Sequence, residues 1–242
     1  MAHRGASAEV PENTFEAFER AVARGADAVE FDVRLTADGV PVVLHDPDLA
    51  RTTDAVGPVA GVTIAELARV RTRDGHAVPT LAETLRSLSG RIAVDIELKN
   101  IPGEPDFTPD GEPLVEATLE AIEASGFVGP VLLSSFNPAS IAHARRLAPD
   151  LPTGLLTSTD VDPDAALTFA AAEGHAWVLP FVRTVAAAVD GYPERVHATG
   201  LRLGTWITDD PAEALALFEA GVDAVATNDP GAVVAARERE AT

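Results

Sequence analysis

The chain has 242 residues, 46% of them hydrophobic, so it can bury a substantial core, and its length approaches the roughly 250 residues of a (β/α)8 barrel. Its net charge of -20 disfavours binding to nucleic acid or anionic membranes, and the lack of cysteine excludes disulfides and thiolate metal sites. With no run of about 18 apolar residues and no secretory signal pattern, we expect no stable membrane insertion and a cytoplasmic location. Composition leaves the oligomeric state open.

Strand-like and helix-like segments alternate along the chain. Apolar runs typical of buried strands occupy 2–5, 28–34, 92–98, 130–135, 153–156, 176–181, 201–207 and 223–227. Helical patterns occupy 14–24, 79–89, 113–125, 137–147, 163–173, 184–190, 193–199 and 211–220. Because eight alternating units imply a closed parallel sheet, we predict an α/β fold, a TIM-type (β/α)8 barrel that forms a single domain over residues 1–242.

Local signals mark where the helices begin and end. Asn13 is the predicted N-cap of the first helix, with Glu16 completing a capping box. Glycines that follow helical segments are typical of left-handed C-caps, and they are Gly25, Gly90, Gly126, Gly174, Gly200 and Gly221.

One apolar run, 40–45, follows the second strand too closely for a parallel crossover, which needs a dozen or more residues. We therefore predict a hairpin over 34–45 that brings His45 opposite Glu30 or Asp32. The stretch 46–77 is too long for a simple loop. It is predicted to complete a small insertion, about 34–80, with one short helix near 63–70.

Carboxylates in the second and third strands form the candidate metal site. Glu30 and Asp32 lie two residues apart and share one strand face. If that face points into the barrel, the carboxylates repel and raise each other's pKa, a conflict that a divalent cation removes. Glu97, two residues after Asp95, is the candidate third ligand. The alternative is a reversed register in which Glu30 and Asp32 face solvent.

Basic residues lie beside these carboxylates. Lys99 is the only lysine in the chain and is placed to hold an anionic oxygen, unless it merely pairs with Glu97. His3 and His45 are candidates for the general acid and general base. Arg4 is placed to clamp a phosphate oxygen.

Further residues follow the ends of strands, where barrel enzymes carry their sites. Phe136 and Trp206 are candidates for a pocket wall, with core packing as the alternative. Asp46 is predicted to orient its loop, and Asp95 to lie deeper. The loop 100–113 is predicted to cover the catalytic face. The remaining histidines, His76, His143, His175 and His197, are predicted to be structural.

A set of short motifs in this order resembles the glycerophosphodiester phosphodiesterase family from residue 2 to about 232. The motifs are HRGA (3–6), PENT (11–14), GADAVEFDV (25–33), DGVPVVLHD (38–46), LARTT (49–53), PTLAETL (79–85), IELK (96–99), SSF (134–136), TWIT (205–208) and GVDAVATNDP (221–230).

The resemblance implies a barrel of the phospholipase-C-like phosphodiesterase superfamily. It implies hydrolysis of a small-molecule glycerophosphodiester to sn-glycerol 3-phosphate and an alcohol, dependent on one divalent cation, Mg²⁺ or Ca²⁺. The residues it implies are Glu30, Asp32 and Glu97 as metal ligands, His3 and His45 as the catalytic acid/base pair, and Arg4, Lys99, Phe136 and Trp206 as substrate contacts. It also suggests attack by the glycerol 2-hydroxyl, giving a cyclic phosphate that water opens.

Other functions remain open at this stage. One is a lysophospholipase D-type lipid phosphodiesterase on the same fold. Another is a Schiff-base lyase using Lys99, which the neighbouring carboxylates disfavour because they raise the pKa of a lysine. The third is a non-catalytic binding protein on this scaffold, which the complete set of ligands and histidines disfavours.

Overall fold

The computed structural model describes residues 1–109, 112–187 and 191–240, and they form a barrel of parallel strands surrounded by helices. The strands are β1 (Ala2–His3), β2 (Ala28–Leu35), β3 (Pro41–Val43), β4 (Ala93–Leu98), β5 (Val131–Ser135), β6 (Thr153–Thr157), β7 (Trp177–Pro180), β8 (Arg202–Thr205) and β9 (Ala224–Val225). Neighbours pair in chain order, and β3 pairs antiparallel with β2. The predicted (β/α)8 barrel is confirmed.

The ring of strands closes between its two ends. Ala2 forms a parallel bridge with Thr227, just beyond β9. The His3 amide donates to the Thr227 carbonyl at 2.9 Å, and the Thr227 amide donates to the Met1 carbonyl at 3.1 Å. The short first strand is therefore sufficient to complete the ring.

Helices between the strands cover the outside of the barrel. They are α1 (Phe15–Ala23), α2 (Ile64–Leu67), α3 (Leu81–Leu88), α4 (Pro113–Ser125), α5 (Pro138–Leu147), α6 (Pro163–Ala172), α7 (Val182–Ala187), α8 (Tyr192–Ala198), α9 (Pro211–Glu219) and α10 (Pro230–Glu240). Helix α10 was not predicted. Part of the helix predicted over 184–190 lies outside the described residues, which stop at 187 and resume at 191.

Helix capping differs from the prediction at the first helix. Thr14, not Asn13, is the N-cap of α1, since its side chain accepts from the Ala17 amide at 3.2 Å. Asn13 has a positive φ of 57°, and its side chain is directed to Asp32 instead. Capping boxes form at Thr63 with Glu66 and at Thr80 with Glu83. All six glycines predicted as left-handed caps have positive φ.

The hairpin of β2 and β3 forms as predicted, but its register is displaced by one residue. The Thr36 amide donates to the Val40 carbonyl at 3.1 Å, and this turn pairs Val33 with Val43. Leu44 consequently lies opposite Asp32, with its amide 3.0 Å from the Asp32 carbonyl oxygen. The prediction that His45 lies opposite Glu30 or Asp32 is therefore wrong.

The insertion that follows has a small apolar core of its own. This core contains Val42, Leu44, Leu49, Val59, Leu67 and Val78. Its helix α2 spans four residues, shorter than the predicted 63–70, and a 3-10 turn precedes it at Val59–Gly61.

Candidate active site

Three acidic side chains meet at the carboxyl ends of β2 and β4. The register pairs Glu30 with Asp95 and Asp32 with Glu97. Alternation along a strand turns these residues inward and the intervening apolar residues outward to the helices. Glu30, Asp32 and Glu97 are all buried, and one carboxylate oxygen from each lies within 4.8 Å of the others. The alternative in which Glu30 and Asp32 face solvent is wrong.

Burial and mutual repulsion give these carboxylates unequal pKa values. Burial, followed by the charges of Asp32 and Glu97, raises the pKa of Glu30 well above its usual range. Burial also raises the pKa of Glu97 to about 7, against the opposing effect of Lys99. Asp32 is as deeply buried, yet Lys99 and Arg4 hold its pKa well below the usual range. Lys99 and Arg4 thus compensate the charge of Asp32 but only part of the charge of Glu30 and Glu97.

The donor atoms of this cluster fit a divalent cation. Glu30 Oε1 is buried and has no hydrogen-bond partner among the described residues, a costly state for a carboxylate oxygen. Carboxylate oxygens are the ligands that hard divalent cations prefer. Glu30, Asp32 and Glu97 can therefore hold a metal ion.

Two basic side chains border the cluster. Lys99 Nζ lies 2.8 Å from Glu97 Oε1 and 3.3 Å from Asp32 Oδ1, so the Glu97–Lys99 pair considered as an alternative does form, but within the larger cluster. Arg4 Nε lies 3.2 Å from Asp32 Oδ2, and the Arg4 amide donates to Glu30 Oε2 at 2.9 Å. Asp95 lies one step deeper, and burial raises its pKa to about 7.

His3 is held by a residue near the end of the chain. Its Nδ1 lies 2.8 Å from Asn228 Oδ1. The Asn228 side-chain amide donates to Asp209 Oδ2 at 2.8 Å, and because a carboxylate only accepts, this contact turns the amide oxygen toward His3. His3 Nδ1 therefore carries a hydrogen, and Nε2, which lies 4.0 Å from Glu30 Oε2, faces the cluster.

His45 is held by the residue that follows it. Its Nδ1 donates to Asp46 Oδ1 at 2.5 Å, so Asp46 orients the ring as well as the loop. Burial and the positive charge of Lys99 lower the pKa of His45, whereas Asp32 raises it. Nε2 of His45 is thereby left for contacts other than Asp46.

The opposite wall of the pocket is apolar. Trp206 makes edge-to-face contacts with Phe136 at 5.2 Å and with Phe181 at 4.9 Å between ring centroids. Its indole N–H donates to the Leu179 carbonyl at 3.0 Å. The rings therefore support one another while Phe136 and Trp206 border the cavity.

The predicted site residues lie around a cavity of about 190 Å³ at one end of the barrel. Eight of the nine line it: His3, Arg4, Glu30, His45, Glu97, Lys99, Phe136 and Trp206. The ninth, Asp32, lies directly behind them in the carboxylate cluster.

Several supporting residues were missed from the sequence. Asn13 donates from its side chain to Asp32 Oδ2 at 2.9 Å. Asn228 fixes His3, and Phe181 supports Trp206. Asn13 and Asn228 lie in the PENT and ATNDP motifs, but only the closed barrel shows which side chain each one touches.

The loop after β4 is anchored to the barrel by Arg34. This side chain is fully buried, and its guanidinium donates to Asp106 at 2.7 Å and to Glu104 at 2.7 Å. It also donates to the His45 carbonyl at 2.7 Å. Residues 110 and 111 of the loop predicted to cover the catalytic face lie outside the described residues.

The chain matches known proteins along almost its whole length. The profile of the Glycerophosphoryl diester phosphodiesterase family covers residues 3–232. A glycerophosphodiester phosphodiesterase of Caldanaerobacter subterraneus subsp. tengcongensis is 33% identical over 97% of this chain and 95% of that protein. A phosphodiesterase of Oleispira antarctica, solved in complex with the product sn-glycerol-3-phosphate, superimposes with a TM-score of 0.85 at 27% identity over 98% of this chain and 95% of that one. The glycerophosphodiester phosphodiesterase of Thermotoga maritima superimposes with a TM-score of 0.79 at 25% identity over 97% and 96%.

Proposed function

Since this chain belongs to the glycerophosphoryl diester phosphodiesterase family and is a phosphoric diester hydrolase, we propose that it hydrolyses glycerophosphodiesters to sn-glycerol 3-phosphate and an alcohol. One observation carries the proposal: the buried carboxylate cluster of Glu30, Asp32 and Glu97 borders a single cavity that two histidines and two basic side chains also line. The solved phosphodiesterase with sn-glycerol-3-phosphate bound supports the choice of substrate.

Glu30, Asp32 and Glu97 hold one divalent cation in this proposal, either Mg²⁺ or Ca²⁺. The unpartnered Glu30 Oε1 and the raised pKa values of Glu30 and Glu97 support it. A divalent cation at this place supplies charge neutralisation for the phosphodiester and a lowered pKa for a neighbouring hydroxyl group.

His3 and His45 exchange protons with the substrate. In each ring Nδ1 is committed to a protein acceptor, so Nε2 is the atom that takes or gives a proton. One ring removes the proton of the attacking hydroxyl, which we propose is the glycerol 2-hydroxyl. The other protonates the leaving alkoxide, and the cyclic phosphate is then opened by water.

Arg4 and Lys99 contact the phosphate, because both guanidinium and ammonium groups border the cavity beside the carboxylates. Phe136 and Trp206 provide an apolar contact for the carbon atoms of the substrate. The lysophospholipase D alternative has no supporting observation among the described residues, and no helix of these residues is both long and apolar enough to cross a membrane.

The test is release of sn-glycerol 3-phosphate from glycerophosphocholine and glycerophosphoethanolamine. The enzyme is assayed in EDTA and then with Mg²⁺, Ca²⁺ or Mn²⁺ restored, with a lysophospholipid as the competing substrate. Turnover restored by one of the cations supports the proposal. Cleavage of the lysophospholipid alone contradicts the proposal that glycerophosphodiesters are the substrates. Full turnover in EDTA contradicts the proposed dependence on a divalent cation.

A pair of variants separates the metal site from general acidity. Glu97→Gln removes one proposed ligand, and calorimetric titration with the activating cation should then show weakened binding. Glu116→Gln removes an exposed carboxylate of α4 and is the matched control, for which cation binding and turnover should be unchanged.

A further inference from the structure

Arg51, which follows the hairpin in the insertion, bonds two carboxylates through its guanidinium. Nε donates to Asp46 Oδ2, and Nη2 donates to Asp46 Oδ1 at 3.1 Å. Nη1 donates to Glu12 Oε2 at 2.9 Å, and Nη2 donates to Glu12 Oε1 at 2.7 Å. The planar fork thereby donates two hydrogen bonds to each of the two carboxylates.

Each of these carboxylates holds a residue of the proposed active site. Asp46 accepts from Nδ1 of His45 at 2.5 Å. Glu12 accepts from Nη1 of Arg4 at 3.0 Å. Arg51 therefore connects the proton-transferring ring on the loop after β3 with the phosphate-contacting guanidinium on the loop after β1.

The exposure of this bridge, Asp46–Arg51–Glu12, argues against a mainly stabilising role. The Arg51 side chain is 46% exposed, and the side chains of Asp46 and Glu12 are 24% and 22% exposed. Ion pairs so open to water contribute little to folding. Their geometry, in contrast, decides where His45 and Arg4 sit relative to each other.

We propose that Arg51 is a positioning residue that fixes His45 and Arg4 at the separation that the reaction requires. The inference rests on the proposed function. A displacement of about 1 Å in such a pair lowers activity by about 10²-fold, so loss of the bridge has a kinetic cost out of proportion to its effect on folding.

The decisive variant is Arg51→Lys, which keeps the charge but loses the planar fork that donates two hydrogen bonds to each carboxylate. We expect kcat/KM to fall about 10–100-fold, with Tm changed by less than about 4 °C. The matched control is Arg91→Lys, because the Arg91 guanidinium donates to both oxygens of a single carboxylate, Glu19, at 2.5 and 2.7 Å outside the cavity. Its kcat/KM should be unchanged.

The same substitution in an altered background tests whether Arg51 acts through its partners. In a Glu12→Gln, Asp46→Asn background, Arg51→Lys should cost less than about twofold, since the acceptors it positions are already altered. An equal loss in both backgrounds, or kcat/KM unchanged in the single variant, overturns the proposal. Arg51→Ala with added methylguanidinium is a second route, for which recovery of activity supports the bridge and no recovery counts against it.

A readout independent of turnover separates this inference from the proposed function. Two-bond ¹⁵N–¹H NMR reports which nitrogen of His45 carries the hydrogen. We expect Nδ1–H in the wild type and a mixture of tautomers in Arg51→Lys. An unchanged tautomer overturns the positioning role whatever the substrate is, whereas wild-type failure on every glycerophosphodiester overturns only the proposed function.

Discussion

The two sides of the barrel interior accommodate opposite kinds of side chain. From β1 to β4 the cavity is lined by charges, including Glu30, Glu97 and Lys99. From β6 to β9 it is lined by apolar groups, including Leu156, Leu179 and Ala226. One ring of parallel strands thus places a charged wall against an apolar one.

The two sides are stabilised by different means. Buried charges cost several kcal/mol each unless they are paired, and Lys99 and Arg4 supply that pairing on the charged side. The apolar side depends on shape, because Leu179 fills the barrel between Gly154 and Gly204. A Cβ on either glycine would come within 2.8 and 2.5 Å of Leu179. A mutation should therefore act through charge on the first side and through volume on the second.

The largest expected effect is on catalysis by the charged side. His45→Ala should lower kcat by roughly 10²–10⁴-fold, because a positioned proton donor or acceptor is lost. Steady-state kinetics with glycerophosphocholine measure it. His197→Ala, which removes a half-exposed histidine bonded to Asp223, is the control. Near-normal kcat in His45→Ala would remove this residue from the mechanism.

Lys99→Met tests whether charge pairing stabilises the same side. It leaves Asp32 and Glu97 without their shared ammonium group, so the free energy of unfolding in EDTA should fall by about 3–5 kcal/mol. Urea denaturation gives the value. An added divalent cation should restore part of the lost stability. A loss below about 1 kcal/mol would mean that Lys99 does not offset the cost of burying these carboxylates.

On the apolar side, Gly204→Ala should destabilise the fold by about 1–3 kcal/mol, because the new methyl group meets the Leu179 side chain at 2.5 Å. The diagnostic is a double-mutant cycle with Leu179→Ala. The substitution at Gly204 should cost much less once Leu179 is shortened. Additive losses would contradict steric overlap as the cause.

The smallest effect concerns His175, which is buried with its Nδ1 2.8 Å from Thr153 Oγ1. Burial, helped by Arg145, lowers the pKa of His175 below 6.5. Below about pH 6.5 the histidine of the unfolded chain is protonated before that of the folded protein. The free energy of unfolding therefore decreases as the pH falls from about 6.5 to the lower pKa of the folded state. His175→Asn should lose less stability than the wild type between pH 7.5 and pH 5. Urea denaturation at both pH values measures these losses. Equal losses in the two proteins would refute the role of His175.

Features that depend on neighbouring residues could be predicted from the sequence, whereas features that depend on distant contacts could not. The spacing of Glu30 and Asp32 was enough to predict a shared inward face, since alternation along a strand is a local property. The register of His45 was not predictable, because it depends on the hydrogen bond that closes the turn at Thr36 and Val40. The N-cap prediction failed for a similar reason: Asn13 binds Asp32, which lies in another element.

The sequence by itself determined the alternation of strands and helices, the barrel they form, and the candidate residues at the strand ends. Each of these follows from periodicity and from motifs confined to a few neighbouring positions. Only the tertiary structure decided the contacts of His3 with Asn228 and of Arg51 with Glu12 and Asp46. Asn228 lies 225 positions from His3, and Arg51 lies 39 from Glu12. Contacts at such separations form when the barrel closes, and no local pattern encodes them.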